Sequence, residues 1–238
     1  MFENTSKADA VAFYLSFAAL VYAILFGAGG WWWALSFAVH VIVITLFSAI
    51  VHRYYSHEAF VMNEKLAFAL SVIPALYMFP GAITWKVIHT AHHATSDTPE
   101  DTNIRGLGGF FGLGYRHPDK KYIRAAVRLA REQKHLTLHK YHLLFVAAYG
   151  LILFAISPTL FLYGFAVPMF TNHCGNRIHK QFAHSDSKPL NLWFMEYIIP
   201  QGGEWIHSGH HDEAKGAQYA TKWYELDTGG LFIKYIMR

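Results

Sequence analysis

The chain has 238 residues, of which 53 % are apolar, 17 % aromatic and only 15 % charged. A soluble domain carries about 25 % charged residues, so the composition excludes a disordered chain, a coiled coil and an ordinary cytosolic enzyme, and points to a membrane. The net charge of +4 suits anionic lipid headgroups rather than nucleic acid.

Residues 10–51 contain no Lys, Arg, Asp or Glu, a run of 42 residues. As one helix it would reach about 63 Å, whereas a bilayer core needs about 20 residues per crossing. The run therefore reads as two spans, 10–27 and 31–52, broken at Gly27-Ala28-Gly29-Gly30. Trp31, Trp32 and Trp33 follow the break, where an interfacial aromatic belt belongs. No basic segment or small-residue cleavage site precedes the run, so it reads as a span rather than a removable signal. The next apolar stretch, 66–85, is punctuated by Pro74, Pro80 and Gly81. It is expected to lie at the interface or re-enter, which keeps the histidines before and after it on one side. Residues 119–140 are basic and read as an amphipathic surface helix. A second charge-free run, 141–176, is interrupted at Ser157-Pro158 and gives spans 141–157 and 159–176.

Twelve of the twenty Lys and Arg lie in 53–140 and seven in 177–238. The positive-inside rule places both segments in the cytoplasm. The expectation is one domain, 1–238. It is an all-α integral membrane fold with four transmembrane helices in two hairpins and a cytoplasmic helical cap.

Sixteen histidines and a single cysteine, Cys174, point to imidazole-bound metal. One cysteine excludes an intrachain disulfide and a multi-cysteine metal site; Cys174 reads as a small buried apolar side chain. The histidines cluster as His52…His57, as His89, His92, His93, and as His207, His210, His211. Positions i, i+3 and i+4 share one helical face, so each HxxHH block can converge. Adjacent His92 and His93 differ by about 100° and can address two neighbouring metals. His52 and His57 differ by about 140° on an ideal helix, which requires two metals or a helix ending between them. His40 falls in mid-span, where an ionisable group is a functional candidate. His117, His135, His139, His142 and His184 are expected at headgroup level or in solvent. Asp97, Asp101 and Glu204 are placed to orient ligand imidazoles.

These residues resemble the membrane fatty-acyl desaturases, the group that includes the stearoyl-CoA desaturases. His52-Arg53 through His57 is similar to that family's HRxxxH box. Trp85, His89, His92 and His93 resemble its WxxxHRxHH block, with Thr90 in place of Arg. Asp97 and Asp101-Thr102-Asn103 resemble the acidic tail after that block. Gly203-Glu204-Trp205-Ile206-His207 with His210-His211 resembles its GEGxHNxHH box, with Ser208 in place of Asn and no Pro following. The resemblance implies two iron ions held by histidines. It also implies a ninth ligand near the cytoplasmic end of the fourth span, preceded by asparagine. His179 is chosen over His173, because Asn172, Asn176 and His179 share a face, with Asn176 holding a metal-bound water. A substrate tunnel between the spans would end near Ser36 and His40.

The implied function is O₂-dependent desaturation of a fatty-acyl chain carried on CoA, a carrier protein or a lipid. No HPGG signature occurs, so a separate ferredoxin or cytochrome b5 type donor is expected. No nucleic-acid partner is expected; membrane lipid is. The alternative is a hydroxylase or related oxygenase on the same site. A haem electron carrier would need facing mid-span histidine pairs, and only His40 is mid-span. A metal transporter would need ionisable residues inside several spans.

Overall fold

Among the described residues, 2–185 and 188–236, the computed structural model is almost entirely helical. Helix α1 (Phe2–Phe26) and helix α2 (Trp31–Leu46) meet at Gly30, whose φ of 66° suits glycine. Helix α2 does not stop at residue 46. It continues as a π-helical stretch, Phe47–Ser56, with i→i+5 bonds such as His57 N–H to His52 O at 3.2 Å. Helices α3 (Glu64–Leu76) and α4 (Ala82–Thr95) form a hairpin whose turn, residues 77–80, leads into the cap residue Gly81. Asn63 caps α3 by accepting the N–H groups of Lys65 and Leu66.

The basic segment is not one helix. It forms a 3₁₀ turn (Lys120–Ala126) after the short α5 (Gly106–Phe111), then α6 (Val127–Arg131) and α7 (Gln133–Lys140). Glu132 breaks it with an extended backbone, φ −85° and ψ 115°. Helix α8 (His142–Ile156) is followed by α9 (Pro158–Phe161), a π-turn (Leu162–Ala166) and α10 (Val167–Phe182), which run on without interruption. Strands β1 (His184–Ser185) and β2 (Lys188–Pro189) pair antiparallel. A 3₁₀ turn (Trp193–Tyr197), α11 (His207–Asp212) and α12 (Thr228–Ile236) complete the described chain.

Two helices among the described residues are long and apolar enough to cross a membrane, Lys7–Phe26 and Trp31–Ser56. Gln133–Lys140 and His142–Ile156, bent by 71°, make a third if they are one span. The continuous helix over 158–182 covers the fourth expected span. Its second half turns polar with Asn172, His173 and Asn176.

The α3–α4 hairpin explains the punctuated stretch 66–85. Tyr77, in its turn, donates a hydrogen bond to Gly164 O at 2.6 Å, so the turn reaches the π-turn in the first third of the 158–182 helix. The chain then returns, because His57 before it and His89 after it bring their Nε2 atoms within 2.7 Å. A wide π-turn leaves carbonyls without close helical partners. Gly164 O is taken by Tyr77 and Tyr163 O by the Ser36 hydroxyl at 2.5 Å.

The apolar core links these elements to the histidines. Val43, Ile44 and Phe47 of the second helix pack with Tyr77, Phe79, Trp85, Phe165 and Met169. Trp85 stacks on the His89 ring at 5.2 Å. A buried ion pair, Arg53 with Asp227, ties the π-stretch to the start of α12.

Candidate metal centre

Nine histidines converge in two adjoining groups. The first is His52, His57, His89, His93 and His210; the second is His92, His184, His207 and His211. Within each group the candidate ligand atoms all lie within 4.8 Å of one another. In the first, Nε2 of His52 is 2.8 Å from that of His89 and 3.1 Å from that of His57. His93 Nε2 is 2.9 Å from both His89 and His210. In the second, His207 Nε2 is 2.8 Å from His184 and 3.1 Å from His211.

The π-stretch makes the first of these contacts possible. In an i→i+5 helix, residues five apart lie about one turn from each other and far closer to a common face than on an α-helix. His52 and His57 therefore face the same point, and neither a second metal nor a helix end is needed between them. On α4, His89 and His93 lie one turn apart and enter the first group, while His92 enters the second. On α11, His210 enters the first group, and His207 and His211 the second. Each HxxHH block thus serves both groups.

Carboxylates hold the rings. His52 Nδ1–H donates to Glu204 Oε1 at 2.9 Å, His92 Nδ1–H to Asp101 Oδ1 at 2.8 Å, and His184 Nδ1–H to Asp97 Oδ2 at 2.9 Å. The opposite nitrogens of His52 and His184 then carry lone pairs, directed at other imidazole nitrogens. Asp97 is itself held by Arg105, and Glu204 accepts from the Ser48 hydroxyl at 2.5 Å. Glu196 shapes the loop before Glu204 by accepting the N–H groups of Gln201, Gly203 and Trp205 at 2.7, 2.9 and 3.1 Å.

Burial opposes protonation of His93 and His211. It pushes His93 down to about 2 and His211 down to about 3, and neighbouring imidazoles push the same way. Burial opposes ionisation of Glu204, yet His52 and Arg53 hold its carboxyl down to about 2. Neutral imidazole is the form that binds metal. Two nitrogens bound at ~2.1 Å and at right angles are ~3.0 Å apart. The observed 2.7–3.1 Å spacings fit a shared cation. These residues fit metal ions at both groups.

This burial gives a pH expectation. Free histidine titrates near pH 6.5, so below that pH the unfolded chain takes up protons that the folded cluster refuses. The metal-free protein should therefore lose stability steadily as pH falls below about 6.5 and change little above it. Thermal unfolding in detergent across pH 8 to 5 (about 1.5 units either side of the histidine value) measures this, and a flat midpoint would contradict it.

The ninth histidine departs from the expectation. His184, expected in solvent or at headgroup level, is buried and stands in the second group, where His179 was expected. Helix α10 ends at Phe182, and β1 turns His184 back toward α11. His179 lies outside both groups and donates from Nε2 to Glu204 O at 2.9 Å. His173 points elsewhere, toward Asp9 Oδ1 at 3.1 Å and Tyr77 O at 3.3 Å. Asn176 accepts from the Tyr115 hydroxyl at 3.2 Å and borders a cavity of about 40 Å³ beside His52, His89, His92, His184 and His207. Ser36 and His40 do not border that cavity. Ser36 binds the π-turn, and His40 Nε2 donates to Pro200 O at 3.1 Å. His135, His139 and His142 pair with Glu64, Thr84 and Ala75 O. A third acidic group, Glu64, Glu132 and His135, already holds Lys134, whose Nζ lies 3.1 Å from each glutamate.

Two membrane-length helices beneath a pair of all-histidine groups that could hold metal describe a helical membrane protein with a candidate metal centre. No protein-family model matches the chain. It is 26 % identical over 194 residues to an sn-2 palmitoyl-lipid 9-desaturase of Nostoc, covering 74 % of this chain and 67 % of that protein. It is 24 % identical over 199 residues to an sn-1 stearoyl-lipid 9-desaturase of Synechocystis, covering 78 % and 62 %. An Anemone leveillei acyl-CoA 5-desaturase is 22 % identical over 201 residues, covering 78 % and 62 %. The chain is thus a relative of the membrane fatty-acyl desaturases, which are oxidoreductases. It spans about two thirds of the length of the curated relatives it matches.

Proposed function

We propose that this chain is an O₂-dependent fatty-acyl desaturase carrying two irons, one at each histidine group. The observation that carries the reading is the pair of adjoining all-imidazole groups, five and four rings, built by shared HxxHH blocks. Imidazole sites suit iron, zinc or copper. Dehydrogenation needs a redox metal, which zinc is not. In the overall reaction, two neighbouring methylenes lose one hydrogen each and become a double bond. O₂ takes those hydrogens with two electrons and two protons and leaves as two waters. The irons, when bound, supply the oxidising power.

The chain's own residues do the rest. Glu204, Asp101 and Asp97 fix the imidazole orientations, the role that hydrogen-bonded carboxylates play around metal-binding histidines. Ile44, Phe47 and Trp85 give the cavity beside His89 an apolar wall. That wall would hold two adjacent carbons against the site and exclude water. Helices α1, α2 and α8 and the 158–182 helix are read as four spans, with the histidine groups at their cytoplasmic end. The acyl carrier and a separate electron donor complete the system.

Expression in a host that lacks unsaturated fatty acids tests the proposal. Lipid profiling should reveal new monounsaturated chains with the wild type and none with His207→Ala. Hydroxylated chains in their place would move the reading to an oxygenase. Iron-loaded protein that forms no new product would overturn it.

A further inference from the structure

The segment 193–236 exposes large apolar side chains, those at 193–198 and 223–224 forming one contiguous surface. Phe194, Tyr197 and Ile198 are exposed, and so are Trp223, Tyr235 and Ile236, with Trp223 at 95 %. Tyr224 links the first parts: its ring lies 4.7 Å from that of Trp193 and 5.6 Å from that of Trp223, and its carbonyl accepts from the Tyr197 hydroxyl at 2.9 Å. Scattered exposed apolar residues are ordinary, whereas a contiguous patch marks a contact surface.

The attachment of this segment to α2 sets its depth. Pro200 O accepts from His40, Gly202 O accepts from Ser48 at 2.9 Å, and Thr228 Oγ1 lies 2.8 Å from Thr45 Oγ1. Counted from Trp31, a crossing of about 20 residues includes His40, Thr45 and Ser48. His40 is twelve residues from His52, about 18 Å along the helix. Backbone hung on those three side chains shares their depth.

We infer that the patch-bearing parts of this segment, 193–201 and 222–236, are seated in the near leaflet of the bilayer, with lipid as the occupant of the apolar patch. The inference rests on the membrane-enzyme reading above. It is favoured over a protein partner because the segment is hydrogen-bonded to a membrane-length helix within its apolar stretch. Aromatic side chains prefer the headgroup level, and Lys222 and Lys234 flank the patch as cations do at an anionic interface. Gln201 lies on the same loop and borders the cavity beside the histidines. That loop is therefore a wall between the candidate site and the lipid.

Single nitroxide labels test this in lipid nanodiscs. Cysteines replace Ile198, Trp223 and Tyr235, with Ile24→Cys as the span control and Lys215→Cys as the water control, all in Cys174→Ala protein. Collision with O₂, which partitions into lipid, is compared with collision with a water-soluble nickel chelate. Labels at 198, 223 and 235 should behave like the label at 24: open to O₂ and shielded from nickel. If they behave like the label at 215, the inference is overturned. Shielding from both reagents would show a protein partner or a second copy on the patch, and would overturn it as well. If the label at 24 itself meets nickel as freely as that at 215, the membrane reading of the whole chain fails. That outcome is distinct from failure of the leaflet contact alone.

Discussion

His184→Ala is expected to lose about half of the bound metal and all turnover, because a missing ligand lowers affinity and changes geometry at one group. The second group has four imidazoles, and His184 supplies one of them from the β1 hairpin. Its Nδ1 is held by Asp97, so the ring is already aimed. His179→Ala should keep both metals, since that ring spends its Nε2 on the Glu204 carbonyl. Elemental analysis of metal per folded chain, with product formation beside it, checks the pair. Metal lost from the His179 variant and kept in the His184 variant would reverse the assignment.

Asp227→Ala should be the most damaging change away from the histidines. Arg53 is completely buried, and Asp227 meets it twice, at 2.7 and 3.0 Å. Asp227 also accepts the N–H groups of Tyr219 and Gly230 at 2.7 and 2.8 Å. Removing one partner strands a buried charge, which costs about 3–5 kcal/mol. That is a large part of an ordinary stability of about 5–15 kcal/mol. The Arg53→Met, Asp227→Leu double variant should regain part of the loss, because no unpaired charge remains. Thermal midpoints in detergent measure both. A single-variant loss under about 1 kcal/mol, the scale of a surface pair, would show that the pair is not buried as described.

Much of the architecture was legible because charge is so scarce. The empty run at 10–51 marked α1 and α2, and the run at 141–176 marked α8 and the long helix after it. The prolines around residue 80 marked a turn, and the histidines on either side required the chain to return. The π-stretch was not legible. Its residues follow ordinary helical patterning, and only the five-residue gap from His52 to His57 hinted that an α-helix would misplace one ring. His184 carried no signal at all. It lies 23 residues before its contact His207, on a two-residue strand, with no repeat spacing to either HxxHH block. His179, by contrast, had a helical neighbour in Asn176 that favoured it. The end of α10 at Phe182 decided against that geometry, and local periodicity does not encode where a helix stops and folds back.

The sharing of HxxHH blocks has a consequence for how the protein is made. The first group needs His210, and the second needs His184, His207 and His211. Neither can close while the chain is still on the ribosome at residue 206. By then α1, α2 and the α3–α4 hairpin have all been synthesised, with His52, His57, His89, His92 and His93 waiting in an incomplete ring. Under the proposed two-iron reading, complete sites form only after the helices have been inserted. An early-arriving ion would meet four imidazoles of the first group, or two of the second, and a gap, a setting that imidazole-binding metals other than iron also suit. Under that reading, the timing of translation becomes part of metal selectivity.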